Sequence, residues 1–361
     1  MKILVVGNGF TRYEEPGRYF VNHHTADFLG GLVARGVKVS LAQPVIRVPT
    51  DGGLNDARVP TQEIEIIDLN RRAVTIGLKV LQAIWSADLV YLFFPGTWPR
   101  LIGFGCLLLN RPFGIYLRGE QFSSKGFDVR LLQRAVAICT ETGLEERVRM
   151  HSDRIIPVAP MIDMTAQDAL ARTSERGPNG SLRILFVGRL ENAKGVPELV
   201  SAARELKERG VSFEMRLVGG GPLYHRLREE LLVDSDLPIV LTGLLSDKSS
   251  MMAQYEWADA LVLPSHHEGF PRVLFEAMIK SCAIVTTMVG GIPAVMRDGV
   301  NCLALPVGSS VAIADQLERL AKERGLTGAL ASAGHTTVLE ILAHRVAHIA
   351  AVQRIIDAKV R

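Results

Sequence analysis

Leu182-Arg183-Ile184-Leu185-Phe186-Val187-Gly188-Arg189-Leu190-Glu191-Asn192-Ala193-Lys194-Gly195 is the stretch on which the fold turns. Its first six residues are nearly all apolar and read as a buried strand. Gly188 ends the run, and a loop carrying two cations leads through Gly195 into an amphipathic segment over 197–209. Strand, glycine-bounded loop and helix together open a Rossmann-like unit. Towards the C-terminus the pattern repeats, with strands over 213–218, 239–241, 260–263 and 283–287 and helices over 223–232 and 272–280. Such alternation predicts a parallel sheet covered by helices.

Towards the N-terminus, residues 164–181 are polar and end in a Gly-Pro-Asn-Gly cluster, a linker by composition. Before it lies a first series, with strands expected over 2–6, 38–43, 89–93, 113–117, 135–139 and 154–158 and a helix over 19–35 that Gly36 ends. The expected fold class is therefore α/β, with two Rossmann-like domains facing a central cleft. The boundaries fall at 1–165, a linker over 166–181, a second domain over 182–340, and a C-terminal helix over 341–361 able to pack back on the first domain. That helix belongs to a helical run read over 338–359.

At 361 residues, 48% hydrophobic and 22% charged, the chain suits two globular domains rather than a disordered one. A formal net charge of +3 gives no reason to expect nucleic acid as a partner. Cys106, Cys139, Cys282 and Cys302 share no metal-ligand spacing and read as buried thiols of a reducing cytosol. The opening Met1-Lys2-Ile3-Leu4-Val5-Val6-Gly7 is too short an apolar run for a signal peptide, and 101–109 contains two glycines and is too short to span a bilayer. A cytoplasmic protein is the expectation.

Ligands of open parallel sheets sit at the carboxyl ends of the strands. There stands His267-Glu268-Gly269-Phe270-Pro271-Arg272-Val273-Leu274-Phe275-Glu276. Glu268 lies in a glycine-containing loop past a strand. Glu276 lies in the first turns of the next helix and leans back towards that loop. The helix N-terminus suits a diphosphate, Glu268 can bond sugar hydroxyls and Glu276 a ribose diol. Arg189 and Lys194, five residues apart, can converge on one diphosphate as a donor fork and a point charge. Gly219-Gly220-Gly221 and Gly290-Gly291 each follow a strand and read equally as tight turns or as close backbone approaches to a nucleotide. Asp234-Ser235-Asp236 resembles a metal-binding D-x-D but stands apart from every other motif. It reads as a polar turn, so no metal is expected.

Taken in order, VGRLENAKGVPELVSAA, LVGGGPL, LTGLLSDK, WADALVLPSHHEGFPRVLFEAM and TMVGGIPAVMRDGVNCLALP resemble the retaining GT-B glycosyltransferases of family 4, the glycosyl transferases group 1. The likeness is dense over 182–308 and loose before it. It implies a nucleotide-diphosphate-sugar co-substrate, no cofactor, no required metal and a retained anomeric configuration. Carried over, it makes Glu268, Arg189 and Lys194 catalytic. It gives donor-binding roles to Gly17, Gly219, Gly220, Leu244, Gly269, Phe270, Val273, Leu274 and Glu276, with UDP or GDP as the nucleotide. The acceptor is expected to be a glycan, a lipid-linked sugar or a small-molecule glycoside.

The first domain departs from the family pattern. Pro16-Gly17 stands where a glycine pair is common, and Arg118-Gly119-Glu120 where many members carry a His. Arg118 cannot act as a base, so His24, Arg118 and Glu120 are acceptor-side candidates. Arg71, Arg72, Arg100, Arg111 and Arg118, beside the apolar 98–109 stretch, fit first a helix packed in the core and secondly peripheral membrane contact. The rival functions are an epimerase or phosphorylase on the same fold, and a non-catalytic nucleotide-sugar-binding module.

Overall fold

The computed structural model describes the chain except residues 16, 48–54, 56, 71–72, 119–121, 124, 161, 163, 165, 170–179, 246, 270 and 361. It divides into two compact units, Met1–Met161 with Arg345–Arg361, and Ile162–His344.

The first unit is built on seven parallel strands in the order Ile155–Pro157, Ile138–Thr140, Phe113–Leu117, Leu89–Phe94, Lys2–Val6, Lys38–Gln43, Ile64–Asp68. Neighbouring side chains on a strand point to opposite faces, so the apolar central strands fill two cores at once. Leu4 and Val6 join Val90, Leu92 and Phe94 on one face, and Ile3 and Val5 join Leu89, Tyr91 and Phe93 on the other. The register that pairs Ile3 with Leu89 and Leu4 with Val90 keeps the two sets in step.

Two expectations for this unit are corrected. Tyr19 and Phe20 are not helical: Arg18–Val21 is a strand paired antiparallel with Thr11–Glu15, in a small sheet with Val45–Arg47 and Ala57–Arg58. Cross-strand aromatic contacts favour the hairpin, with the Tyr13 and Tyr19 rings 5.2 Å apart. The helix begins only at His23, where the Asn22 side chain accepts a bond from the Thr25 N–H at 2.9 Å.

Residues 338–359 are likewise not one helix but parts of two, Arg324–His344 and His348–Val360. Between them Val346 makes a parallel bridge to Val158. His348 is buried against Phe28 and Tyr116, with ring centroids 4.6 and 4.0 Å away, and its Nε2 lies 2.7 Å from the Tyr91 hydroxyl. Burial, helped by the charge of Arg118, pushes its pKa down to about 3. Uninterrupted helix would forfeit the bridge, and tertiary packing overrides the local propensity.

The second unit carries six parallel strands in the order Ile239–Gly243, Phe213–Val218, Leu182–Val187, Ala260–Leu263, Ala283–Thr287, Leu303–Leu305. From Leu182–Val187 the chain winds to one side of the sheet, and from Ala260–Leu263 to the other. The boundary between these two strands is the switch point, where neighbouring crossovers part and leave a crevice at the carboxyl ends. Sequence reading left unassigned the helices Lys248–Trp257 and Ser310–Lys322 and the edge strand Leu303–Leu305.

Candidate functional site

The two strands that flank the second unit's switch point lead directly to the charged residues. After Leu182–Val187 come Arg189 and a single turn, Asn192–Lys194, ahead of the helix Val196–Glu208. After Ala260–Leu263 come Ser265 and Glu268, then the helix Arg272–Ile279. The Lys194 Nζ donates to Glu268 Oε1 at 2.6 Å, and the Ser265 hydroxyl donates to the same oxygen at 2.7 Å. Only 8% of the Glu268 side chain and 23% of that of Lys194 is exposed, so this ion pair is held in one geometry. Ser265 is itself fixed, because the Thr287 hydroxyl donates to its carbonyl at 2.7 Å.

Glycines lock the surrounding loops together. Gly219 has φ +139°, and a Cβ there would lie 1.9 Å from the Gly188 carbonyl. The Leu190 N–H completes the contact by donating to the Gly220 carbonyl at 2.9 Å. Gly290, at φ +60°, passes so close to the Glu268 carbonyl that a Cβ would lie 1.8 Å away, while the Gly291 N–H donates to the Gly269 carbonyl at 2.7 Å. Both glycine loops are thus tight turns packed against neighbouring protein backbone. Leu244, 52% exposed, lies beside Gly220. Arg189 is 55% exposed on its side chain and 3.5 Å from Glu191.

Glu276 receives the hydroxyl of Tyr255 at 2.6 Å. Tyr255 is fully buried, and burial, together with the Glu276 charge, holds its pKa well above the usual phenol value. The phenol stays a donor and orients the carboxylate. Pro271, at the helix N-cap, supplies no side-chain acceptor to the first turn, which contains Val273 and Leu274; the Leu274 N–H bonds the Pro271 carbonyl at 3.2 Å.

Residues 181–323 match the family model described as glycosyl transferases group 1. Through this unit the chain is similar to that family. The D-inositol 3-phosphate glycosyltransferase of Actinosynnema mirum is 34% identical over 197 residues, 50% of this chain and 47% of that protein. The amylovoran biosynthesis glycosyltransferase AmsK of Erwinia amylovora is 33% identical over 149 residues, 39% of this chain and 36% of that protein. The chain thus matches less than half the length of these curated relatives. The crystal structure of Anabaena HepE in complex with UDP superposes with a TM-score of 0.67 at 16% identity, covering 100% of this chain and 99% of that one. The two Rossmann-like units are those of the GT-B fold.

Within the matched residues, Glu268 and Lys194 are in direct contact, and the loops of Arg189, Gly219 and Gly220 interlock. Sequence reading missed three supporting residues: Ser265, Thr287 and Tyr255. Ser265 lay inside the WADALVLPSHHEGFPRVLFEAM run, with no role assigned to it. Tyr255 gave no signal, because it comes from the unassigned helix Lys248–Trp257. Asp234 and Asp236 are engaged by Arg204, at 2.8 Å, and by Lys207. Phe270 and Glu120 lie outside the described residues.

In the first unit the expected residues are scattered. Gly17 sits at the hairpin turn, six residues before the helix His23–Val33. The chain instead leaves its first strand through Gly7-Asn8-Gly9, with Asn8 Nδ2 donating to the Pro95 carbonyl at 3.3 Å. Arg118 follows the strand Phe113–Leu117, and its N–H donates to the Phe94 carbonyl at 2.8 Å. His24 is half-buried in the first turn of His23–Val33.

Proposed function

We propose that this chain is a retaining, metal-independent glycosyltransferase that moves a hexose-type sugar from a UDP or GDP donor to a hydroxyl acceptor. The acceptor is a glycan, a lipid-linked sugar or a small-molecule glycoside. The observation that carries the reading is the Lys194–Glu268–Ser265 contact at the switch point of the group 1 domain.

The chemistry follows from these atoms. An ammonium has three N–H donors. Glu268 takes one, which orients Lys194 and leaves the others for phosphate oxygens. Oε1 of Glu268 accepts both protein bonds, and Oε2 serves the donor sugar. Glu276, oriented by Tyr255, takes the ribose diol. As the bond from the anomeric carbon to phosphate oxygen breaks, charge builds on the diphosphate. Lys194, Arg189 and the N-terminal turn of Arg272–Ile279 stabilise it, the kind of interaction that usually supplies the largest part of a rate enhancement. The acceptor oxygen then bonds the anomeric carbon on the face the diphosphate leaves, and its proton passes to the departing phosphate. Asp234 and Asp236, each engaged by a cation of the helix Val196–Glu208, are poor candidates for a metal site. In the first unit, Arg118 and His24 are the candidate acceptor contacts.

The test is a panel of nucleotide sugars with and without acceptors, in EDTA, with the product anomer read by NMR. A new glycoside with the donor's configuration is expected. Epimerised sugar without an acceptor, binding without turnover, or activity that requires added Mn²⁺ would each replace this reading.

A further inference from the structure

Two neighbouring helices of the first unit carry an apolar face that the protein leaves uncovered. On Ala73–Ser86 the exposed large apolar residues are Leu78 at 69%, Leu81 at 47% and Trp85 at 64%. On Thr97–Leu108 they are Leu101 at 56%, Phe104 at 48% and Leu108 at 69%. Both sets recur at i, i+3 and i+7, a single helical stripe each. The opposite faces are buried in the usual way, through Ala83 and Ile84 on one helix and Ile102 and Cys106 on the other. The helices meet where Ile84 packs against Gly105. Six large apolar side chains on two adjoining helices form an exposed patch of the kind that marks an interaction surface.

The charges around it select the partner. Neither helix contains an Asp or Glu. Arg111 lies 5.5 Å over the Trp85 ring, a Trp–Arg pair of the kind that favours a membrane–water interface. Phe104 meets Phe127 edge-on at 5.7 Å, and Phe127 begins a row with exposed Arg130 and Arg134 at helical spacing. Arg100, expected among the membrane-facing cations, is instead bonded to Asp128 by Nε and Nη2, both at 2.8 Å. Two-fold self-association would bring the same acid-free helices together and set cation against cation. Among the described residues no helix is long and apolar enough to cross a membrane.

We propose that this two-helix face docks on the surface of an anionic lipid bilayer. The apolar stripes enter the interface while the exposed Arg130 and Arg134 meet the headgroups. The full chain should float with vesicles of equal parts phosphatidylglycerol and phosphatidylcholine at low salt, stay behind with phosphatidylcholine alone, and be released as salt rises. The triple variant Leu101→Gln/Phe104→Ser/Leu108→Gln and the double variant Arg130→Glu/Arg134→Glu alter surface positions. Each should lower the partition coefficient about tenfold or more, with thermal unfolding and nucleotide affinity unchanged. No binding at low salt, equal binding to both vesicle types, or a triple variant that binds as well as the parent overturns the proposal. A dimer in sedimentation that the triple variant abolishes, without vesicle binding, would assign the face to a second copy.

Discussion

In the second unit, the strands on either side of the switch point lead to Lys194 and Glu268, a partly buried pair 2.6 Å apart. In the first unit, the corresponding strands Lys2–Val6 and Leu89–Phe94 also lie side by side, with the chain departing in opposite directions from them. There they lead to Gly7-Asn8-Gly9 and to Pro95-Gly96, joined by one bond between neutral groups at 3.3 Å. Counted along the chain, both sheets begin with the strand order 3-2-1-4-5-6. Topology gives each unit the same crevice, and among the described residues the two differ in what the flanking loops bring together, an ion pair in the second unit and a bond between neutral groups in the first. Function on this fold is a property of the loop residues grafted on it.

The largest test of this contrast removes the charges. Glu268→Ala should lower the rate of sugar transfer by about 10²–10³-fold, the cost typical of losing one preorganised stabilising group. Steady-state assays with a saturating donor would measure it. A smaller and more specific effect is expected at Tyr255. Tyr255→Phe keeps the buried ring and loses only the bond to Glu276, a charge-assisted bond with a net contribution of about 1.5–3 kcal/mol. The Michaelis constant for donor should rise about tenfold or more with kcat nearly unchanged. A fall in kcat alone would mean that Glu276 does not act through donor binding.

His348 tests the first unit, where burial serves stability. Its folded pKa, about 3, lies below the ordinary 6.5, so below neutrality the unfolded chain binds the proton that the folded chain refuses. Stability is therefore complete above pH ~6.5 and falls as pH drops towards ~3, by about 2 kcal/mol at pH 5 for an isolated group. Urea unfolding across that window should reveal the slope, and His348→Phe should flatten it. The smallest effect belongs to the first unit's switch point. Asn8→Ala should cost less than about 1 kcal/mol of stability and leave nucleotide affinity unchanged in a binding titration. Weaker donor binding in that variant would erase the contrast between the units.

Much of the second unit could be read in advance because its strands are short, largely apolar runs between polar, glycine- or proline-containing segments. Leu182–Val187, Phe213–Val218, Ala260–Leu263 and Ala283–Thr287 stand where the pattern put them. Lys248–Trp257 escaped because its apolar residues, Met251, Met252, Tyr255 and Trp257, do not form a clear stripe in a polar segment. With it went Tyr255, whose role depends on a partner 21 residues away. In the first unit the hairpin Thr11–Val21 was hidden because Tyr19 and Phe20 fit a helical period as well as a strand. The break at Val346 was hidden because its cause, the bridge to Val158, is distant in sequence. Of the site, the charged members were legible, and the hydroxyls that aim them were not.

The central claim is that the second unit's switch point holds a nucleoside diphosphate between Lys194, Arg189 and Glu276. Isothermal titration of UDP and GDP into the full chain and into Lys194→Ala, Arg189→Ala and Glu276→Ala tests it most directly. One nucleotide should bind the parent, and each substitution should weaken it by about 1–3 kcal/mol, the scale of a lost bond to a charged group. Unchanged affinity in all three variants, with folding intact, would contradict the account.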